Sequence, residues 1–226
     1  MEKVMGYWEP YSLVPHFGFL RKKNRGNELY LSLEDRKIMH LEIVIDSLRQ
    51  SVPKEIEALQ NLYSLDIFIE EDCKGNLFKE KFCLPSVRNL YIFCTVPVTI
   101  SDSFDYFPNL RRLEISGFSL YNRPYVSFEN SFKKLAKLEE LDLKLVRLEK
   151  IPNSILNLTK LNWLNLFKTT LKKLPISLLY NLKSLETLEL SYNFELDLKK
   201  REIKKLEKKV KFFIYSSLDD YQKNFT

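Results

Sequence analysis

The stretch LETLELSYNFEL, at residues 185–196, carries the spacing that decides the fold. Its leucines fall at Leu185, Leu188 and Leu190, so a gap of three is followed by a gap of two. Because successive side chains of a β-strand alternate between its two faces, Leu188 and Leu190 share one face and Glu189 lies on the other. The stretch therefore predicts a short strand with one apolar face, followed by a turn.

The same spacing recurs along most of the chain, which indicates an internal repeat. The other copies are Ile38/Leu41/Ile43, Leu62/Leu65/Ile67, Val87/Leu90/Ile92, Leu110/Leu113/Ile115, Leu138/Leu141/Leu143, Leu161/Leu164/Leu166 and a degenerate Val210/Phe213/Tyr215. Successive copies begin 24, 25, 23, 28, 23, 24 and 25 residues apart. A second apolar set spaced by three precedes most strands and predicts a short helix or 3₁₀ turn. One such unit cannot enclose a core, whereas stacked units can.

The pattern LxxLxLxx(N)xL, over about residues 38–215, resembles that of the leucine-rich repeat proteins, with irregular units of 23–28 residues. The resemblance implies an α/β class fold: a right-handed, curved solenoid with a parallel β-sheet on the concave face. Short helices, 3₁₀ turns and loops would form the convex face. The family's turn asparagine occurs only at Asn193. Its equivalents are Asp46, Glu70, Thr95, Phe118, Val146 and Thr169, so we expect locally irregular curvature.

The repeats predict a single domain with three segments. Residues 1–37 form an N-terminal cap with a predicted β-hairpin, because the turn signal NRGN separates two apolar runs. Residues 38–209 hold seven repeats, and residues 210–226 form a capping strand and tail. The long fourth unit carries an insert at 119–132, which either packs on itself or presents aromatic side chains to a partner.

Several features predict a cytoplasmic, monomeric protein. The three cysteines, Cys73, Cys83 and Cys94, form no paired motif, and the cysteine-rich caps of secreted repeat proteins are missing. The N-terminus lacks the apolar region of a signal peptide, and no stretch is long enough to predict a transmembrane segment. Secretion by a bacterium into a host cell stays open as an alternative.

The net charge of +6 comes from one segment. Residues 199–211 hold eight basic and two acidic residues, whereas the rest of the chain has 28 of each sign. This segment predicts an amphipathic helix, and its basic side chains are either a solvated face or a contact for nucleic acid or an anionic membrane. Nucleic acid is disfavoured because no aromatic stacking platform interrupts the segment. The possible basic patch consists of Lys199, Lys200, Arg201, Lys204, Lys205, Lys208 and Lys209.

The concave face of the implied solenoid would display an acidic column. The position between the two inward residues reads Glu42, Asp66, Tyr91, Glu114, Asp142, Asn165, Glu189 and Ile214, of which five of eight are carboxylates. Arg112 and Lys144 are expected to flank the adjacent pair Glu114 and Asp142. Aromatic side chains are expected in two groups, one with Phe68, Tyr91 and Phe93 and one with Trp163 and Phe167.

This composition has two interpretations, an ordinary solvated sheet or a protein-binding face. Exposed aromatic residues rimmed by charge are typical of binding hot spots and favour the second. The sequence thus predicts a non-enzymatic adaptor, scaffold or regulator whose partner protein has a basic or mixed-charge surface. The predicted contact residues are Glu42, Asp66, Phe68, Tyr91, Phe93, Arg112, Glu114, Asp142, Trp163, Asn165, Phe167 and Glu189.

An enzyme, a cofactor and a metal site are not predicted. The chain has two histidines, His16 and His40, and neither lies in a recognised catalytic motif. Five glycines are too few for a glycine-rich phosphate loop. An open solenoid face also leaves bound molecules exposed to water, which argues against catalysis.

Overall fold

A computed structural model describes most of the chain. The described residues are 22–24, 27–34, 37–45, 51–70, 77–78, 81–100, 103–119, 123–128 and 132–215. Several features named above lie outside them: the N-terminal part of the predicted cap, the C-terminal tail from residue 216, Asp46, Cys73 and parts of the 119–132 insert. The boundaries of the three predicted segments stay a prediction.

Twelve strands are formed by the described residues. In chain order they are β1 (Lys22–Asn24), β2 (Asn27–Glu34), β3 (Lys37–Ile45), β4 (Ser64–Ile69), β5 (Asn89–Cys94), β6 (Val98–Ile100), β7 (Arg112–Gly117), β8 (Val126–Phe128), β9 (Glu140–Lys144), β10 (Trp163–Asn165), β11 (Thr187–Glu189) and β12 (Phe212–Ile214). Ten of them form one sheet in the order β1-β2-β3-β4-β5-β7-β9-β10-β11-β12, and β6 pairs with β8 in a second sheet.

The large sheet is parallel from β3 to β12, and each step along it advances the chain by one repeat. The predicted stacked parallel sheet is therefore confirmed. At the N-terminal edge, β1 and β2 form an antiparallel hairpin, and β2 pairs antiparallel with β3. Part of the insert is the strand β8, which lies beside β6 rather than on the large sheet.

The core lies behind the sheet and follows the repeat spacing. The first inward residue of six successive strands has no exposed surface, and these residues are Leu65, Leu90, Leu113, Leu141, Leu164 and Leu188. Burying one leucine side chain contributes roughly 2 kcal/mol, so the column as a whole is a large stabilising term. Each leucine packs against the equivalent residues of the units before and after it, which is why isolated units would not fold.

Short helices lie on the side opposite the sheet. Three are 3₁₀ helices, at Lys54–Ala58, Ser103–Tyr106 and Asn153–Asn157, and two are α-helices, α1 at Ile176–Asn181 and α2 at Lys200–Lys209. Pro53, Pro152 and Pro175 each precede one of them, where the missing N–H of proline costs no hydrogen bond. The set beginning at Phe132 forms hydrogen-bonded turns instead of a helix.

The turns that follow the strands use different devices. The side chain of Asn193 is buried; its Oδ1 accepts hydrogen bonds from Thr169 N at 2.8 Å and Thr169 Oγ1 at 2.9 Å. Its Nδ2 donates to Leu166 O at 2.7 Å and Leu190 O at 2.9 Å. At the end of β7, a Cβ on Gly117 would lie 2.2 Å from Leu145 O, so only glycine fits there.

Candidate functional site

The register of the sheet places the concave column in one continuous row. Parallel pairing sets Glu42 beside Asp66, Asp66 beside Tyr91, Tyr91 beside Glu114, Glu114 beside Asp142, Asp142 beside Asn165, Asn165 beside Glu189 and Glu189 beside Ile214. Neighbouring strands lie roughly 4.8 Å apart, so the row contains two pairs of adjacent carboxylates.

The central carboxylates are more buried than an exposed column would be. Glu114 is 5% exposed and Asp142 is 6% exposed, so both lie in the floor of the concave face. Lys144 Nζ lies 3.0 Å from Glu114 Oε1 and 3.6 Å from Asp142 Oδ2, and Arg112 Nη2 lies 3.9 Å from Glu114 Oε2. Ser116 Oγ donates a hydrogen bond to Glu114 Oε1 at 3.1 Å. These contacts neutralise much of the charge that would otherwise repel across the two strands.

Asp142 is the less satisfied member of this pair. Burial raises its pKa to about 6; the charge of Lys144 opposes the increase, and the charge of Glu114 adds to it. A hydrogen bond with the Asn165 side chain also opposes the increase, but Asp142 Oδ1 is buried and accepts no hydrogen bond of normal geometry from the described residues. A carboxylate oxygen in this condition carries an uncompensated desolvation cost of about 1–3 kcal/mol.

A second carboxylate pair lies at the N-terminal end of the row, beside a histidine. His40 Nε2 lies 3.6 Å from Glu42 Oε1 and 3.7 Å from Asp66 Oδ2. Burial raises the pKa of Asp66 to about 7, against the opposing charge of His40. Burial alone would lower the pKa of His40, but a hydrogen bond to Glu42 and the charges of both carboxylates raise it overall. Sequence reasoning did not connect His40 to these carboxylates, although their two-residue spacing and strand register contain that information.

An N-terminal aromatic cluster, formed by Phe68, Phe93 and Phe118, lies at the carboxyl ends of β4, β5 and β7. Its ring centroids are 4.9 Å apart for Phe68 and Phe93, 5.9 Å for Phe68 and Phe118, and 5.7 Å for Phe93 and Phe118. Tyr91 stacks beside it, 6.4 Å from Phe93, and the guanidinium of Arg112 lies 5.6 Å from the Tyr91 ring centroid. Phe118 is 47% exposed, and the strand alternation that predicts the contact residues does not include it because it follows the end of β7.

The second predicted aromatic group is divided in the structure. Phe167 contacts Tyr192, with centroids 5.1 Å apart, and Tyr192 contacts Phe194 at 5.7 Å. These three residues form a C-terminal aromatic cluster. Trp163 is exposed at the opposite end of β10, and no ring contact joins it to Phe167 within the described part of the chain. Three residues of strand and turn separate Trp163 from Phe167, so the two rings have different neighbours and do not form one cluster.

Two of the predicted contact residues accept hydrogen bonds from the backbone of the turn that follows their own strand. Asn165 Oδ1 accepts a hydrogen bond from Phe167 N at 2.9 Å, and Glu189 Oε1 accepts one from Ser191 N at 2.6 Å. Burial raises the pKa of Glu189, and the hydrogen bonds from Ser191 oppose that increase. Both side chains satisfy a backbone donor two residues further on, which fixes the end of each strand.

The basic patch lies in a different layer from the acidic row. It belongs to α2, whose Leu206 is buried against the core while Lys200, Arg201, Lys204 and Lys205 are exposed. The Lys199 backbone N–H donates to Glu202 Oε2 at 2.9 Å, which closes the first turn of the helix. The acidic and basic surfaces therefore cannot neutralise each other within one molecule.

A cleft of about 470 Å³ lies on the loop side of the C-terminal units, and sequence reasoning did not anticipate it. Its lining consists of Arg123, Tyr125, Arg147, Leu148, Glu149, Thr170, Lys172 and Glu195. The Tyr125 hydroxyl donates to Glu149 Oε2 at 2.9 Å, and Lys172 Nζ lies 3.5 Å from Glu195 Oε2. Three of its five charged side chains, Glu149, Lys172 and Glu195, thus have a partner in the cleft wall.

Among the described residues, no helix has the length and apolar character needed to cross a membrane. Comparison with known proteins gave matches among solved structures alone: no family model matches the chain, and no curated protein matches it significantly.

The solved structures that are similar to this chain include the following three. The Leptospira interrogans leucine-rich repeat protein LIC12759 superposes with a TM-score of 0.57 at 23% identity, over 74% of this chain and 41% of its own. The plant peptide hormone receptor RGFR1, in complex with RGF2, has a TM-score of 0.47 at 17% identity, over 74% and 30%. The ectodomain of the Arabidopsis receptor kinase HAESA, in complex with an IDA peptide hormone, has a TM-score of 0.47 at 19% identity, over 87% and 36%.

This chain thus spans 41% of the length of the Leptospira protein. The likeness to that protein, the parallel sheet that advances by one repeat per strand and the recurrent leucine spacing agree with one another. The chain has the leucine-rich repeat fold.

Proposed function

We propose that the concave face binds another protein, and that the chain is a non-enzymatic interaction module such as an adaptor, scaffold or regulator. The observation that carries the proposal is the arrangement of the face. The buried carboxylates Glu114 and Asp142 lie in its floor, and the aromatic cluster at Phe118 and the one at Tyr192 are exposed beside it. Exposed aromatic anchors next to charged groups concentrate binding energy in most protein interfaces.

The electrostatics favour a partner with a basic or mixed-charge surface. Asp142 Oδ1 accepts no hydrogen bond of normal geometry within the described chain, and Lys144 is shared between two carboxylates. A lysine or arginine side chain placed over this row would add a donor close to both acids. The row is an open surface rather than an enclosed site, which supports recognition rather than catalysis.

Alanine substitution at one aromatic cluster tests the proposal. A partner is first obtained by affinity purification with mass spectrometry, and its binding to the purified chain is then measured by calorimetry. We expect the double variant Phe93→Ala/Phe118→Ala to weaken binding at least about tenfold, since anchor residues each contribute about 2 kcal/mol. Tyr180→Ala removes an equally large ring that is 55% exposed on α1, and serves as the control. Equal loss in both variants, or in neither, would overturn the concave site.

We propose a cytoplasmic, monomeric state as part of this function. The observation in its support is that Cys83 is an exposed free thiol in the structure, which suits a reducing compartment. Mass measurement by light scattering in a reducing buffer checks the monomer, and a concentration-dependent dimer would contradict it.

A second candidate function uses α2 instead, as a contact for an anionic membrane or nucleic acid. Lys200, Arg201, Lys204, Lys205 and Lys208 are exposed, and the described residues offer them no ion pair. Their replacement by glutamine is expected to abolish cosedimentation with phosphatidylserine vesicles or a shift with duplex DNA, each measured at physiological salt. If the wild-type chain binds neither the vesicles nor the DNA at physiological salt, this candidate function is eliminated.

A further inference from the structure

The strongest unassigned group of side chains is the triad of His40, Glu42 and Asp66. It combines an imidazole with two carboxylates, and one donor atom from each lies within 4.8 Å of the others. His40 and Glu42 are two residues apart on β3, so both face the concave side, and the register sets Asp66 of β4 directly beside Glu42. Three potential ligands therefore converge through strand geometry alone.

The distances within the triad are close to those of a metal site. His40 Nε2 lies 3.6 Å from Glu42 Oε1 and 3.7 Å from Asp66 Oδ2. In a tetrahedral zinc site, with bonds of about 2.1 Å to nitrogen and oxygen, neighbouring donors lie about 3.4 Å apart. The donor oxygens of Glu42 and Asp66 lie within 4.8 Å of each other, so the two carboxylates would close around an ion rather than be brought together from a distance.

The other carboxylate pair of the same row has a lysine between its two acids, and the triad has none within the described part of the chain. Glu114 and Asp142 have a built-in cation, since Lys144 Nζ lies 3.0 Å from one and 3.6 Å from the other. No lysine or arginine of the described residues forms an ion pair with Glu42 or Asp66. The group that faces both carboxylates is instead His40, whose imidazole nitrogen is a common metal ligand.

The surroundings suit an ion that keeps contact with solvent. The side chains of His40, Glu42 and Asp66 retain 28%, 25% and 17% of their surface exposed, which leaves an open path and room for a water ligand. Ser64 Oγ donates to Asp66 Oδ1 at 3.5 Å, so Oδ2 faces His40. A hydrogen bond to the outer oxygen of a ligating carboxylate holds its orientation in metal sites.

We propose that His40, Glu42 and Asp66 bind one divalent transition-metal ion, with Zn²⁺ the ion that best matches the donors. One imidazole nitrogen, two carboxylate oxygens and one water give the four ligands of an open zinc site. The site lies at the N-terminal end of the concave face, and it does not depend on the protein-binding function proposed above.

Titration of the metal-free full chain with ZnCl₂ by calorimetry, at pH 7.5 in a buffer that does not chelate zinc, tests the site. We expect one ion per chain, with affinity at least about tenfold lower in His40→Gln and in Asp66→Asn. The matched control is His16→Gln, which removes the one other histidine of the chain and should bind zinc as the wild type does. Circular dichroism of every variant establishes that it is folded.

Cobalt substitution separates this site from a thiolate site. Co²⁺ held by nitrogen and oxygen gives weak visible bands without the intense near-ultraviolet band of cobalt–sulfur bonds. The proposal is overturned if zinc does not bind the folded wild-type chain, if His40→Gln and Asp66→Asn bind as the wild type does, or if the cobalt spectrum shows sulfur ligation from the three cysteines.

Discussion

A single side chain, Asn193, ties the sixth and seventh units together in the structure. Its Oδ1 accepts hydrogen bonds from Thr169 N and Oγ1, its Nδ2 donates to the carbonyls of Leu166, Leu190 and Ser191, and the residue is 2% exposed. Among the turns that the structure describes after the earlier strands, the equivalent positions hold Glu70, Thr95, Phe118, Val146 and Thr169; Thr95 Oγ1, for example, donates to Ile69 O at 3.1 Å. The hydrogen bonds that hold the turns thus differ from unit to unit, and in the seventh unit most of them are made by the side chain of Asn193.

Removal of this amide should be costly. Asn193→Ala leaves buried carbonyls and one buried N–H without partners, so we expect a loss of about 3 kcal/mol in the free energy of unfolding. Urea unfolding at 25 °C measures it. Asn162→Ala is the control, because that side chain is exposed and should change the free energy by less than about 0.5 kcal/mol. Similar values for the two variants would show that the asparagine turn is not a major contributor.

At the scale of the element, the strands and the helical turns of one unit contribute unequally. Leu164 of β10 has no exposed surface, whereas Leu156 of the 3₁₀ helix Asn153–Asn157 is 42% exposed. Leu156 lies near the end of the fifth unit and Leu164 near the start of the sixth, so two leucines close in sequence differ in burial but not in side-chain chemistry. The inward strand position, held by Leu164, is part of the core, whereas the helical position held by Leu156 remains partly exposed to solvent.

We therefore expect Leu164→Ala to lower the free energy of unfolding by about 3–4 kcal/mol, because it leaves a cavity between neighbouring units. Leu156→Ala should cost less than about 1 kcal/mol. Urea unfolding followed by circular dichroism gives both values. A cost at Leu156 as large as that at Leu164 would mean that the helical turns, rather than the strands, hold the stack.

Strand positions could be predicted from the sequence, whereas features that depend on contacts between units or on turn geometry could not. The spacing of Leu188 and Leu190 predicts the strand and its buried face. It also predicts the register with the neighbouring strands, because a shift by one residue would move both leucines to the opposite face. The burial of Glu114 was not predictable, since it depends on how closely Lys144 and Arg112 cover it. The exposed ring of Phe118 was missed because turn geometry, rather than strand alternation, directs it onto Phe68 and Phe93.

At the scale of the whole molecule, the positive net charge does not describe the concave face, which carries acidic side chains. The formal net charge is +6, yet the concave floor holds carboxylates with raised pKa values and the basic surplus lies on α2. Two acids bind protons more tightly in the folded state than in the unfolded chain: the partly buried Asp66, with a pKa of about 7, and the buried Asp142, with a pKa of about 6. Protonation of this floor therefore favours the folded state.

The sign of the pH dependence follows from linkage. A carboxyl group whose pKa is raised by folding contributes stability below its unfolded pKa of 3.8, and that contribution is lost as the pH rises through 6 to 7. The raised pKa of His40 acts in the same direction. We expect the free energy of unfolding to increase by the order of 2–4 kcal/mol between pH 8 and pH 5, measured by urea titration at each pH. The same protons remove negative charge from the concave face, so stability and affinity for a basic partner should change in opposite directions.

The double variant Asp66→Asn/Asp142→Asn isolates the cause. It keeps the shape of both side chains without their ionisation, so most of the slope between pH 8 and pH 5 should disappear, and the variant should be more stable than the wild type at pH 8. At pH 4, where both aspartates are already protonated in the folded protein, the two proteins should differ little. A wild-type chain that loses stability steadily from pH 8 to pH 5, or a variant that keeps the full slope, would show that the buried floor does not control the pH dependence.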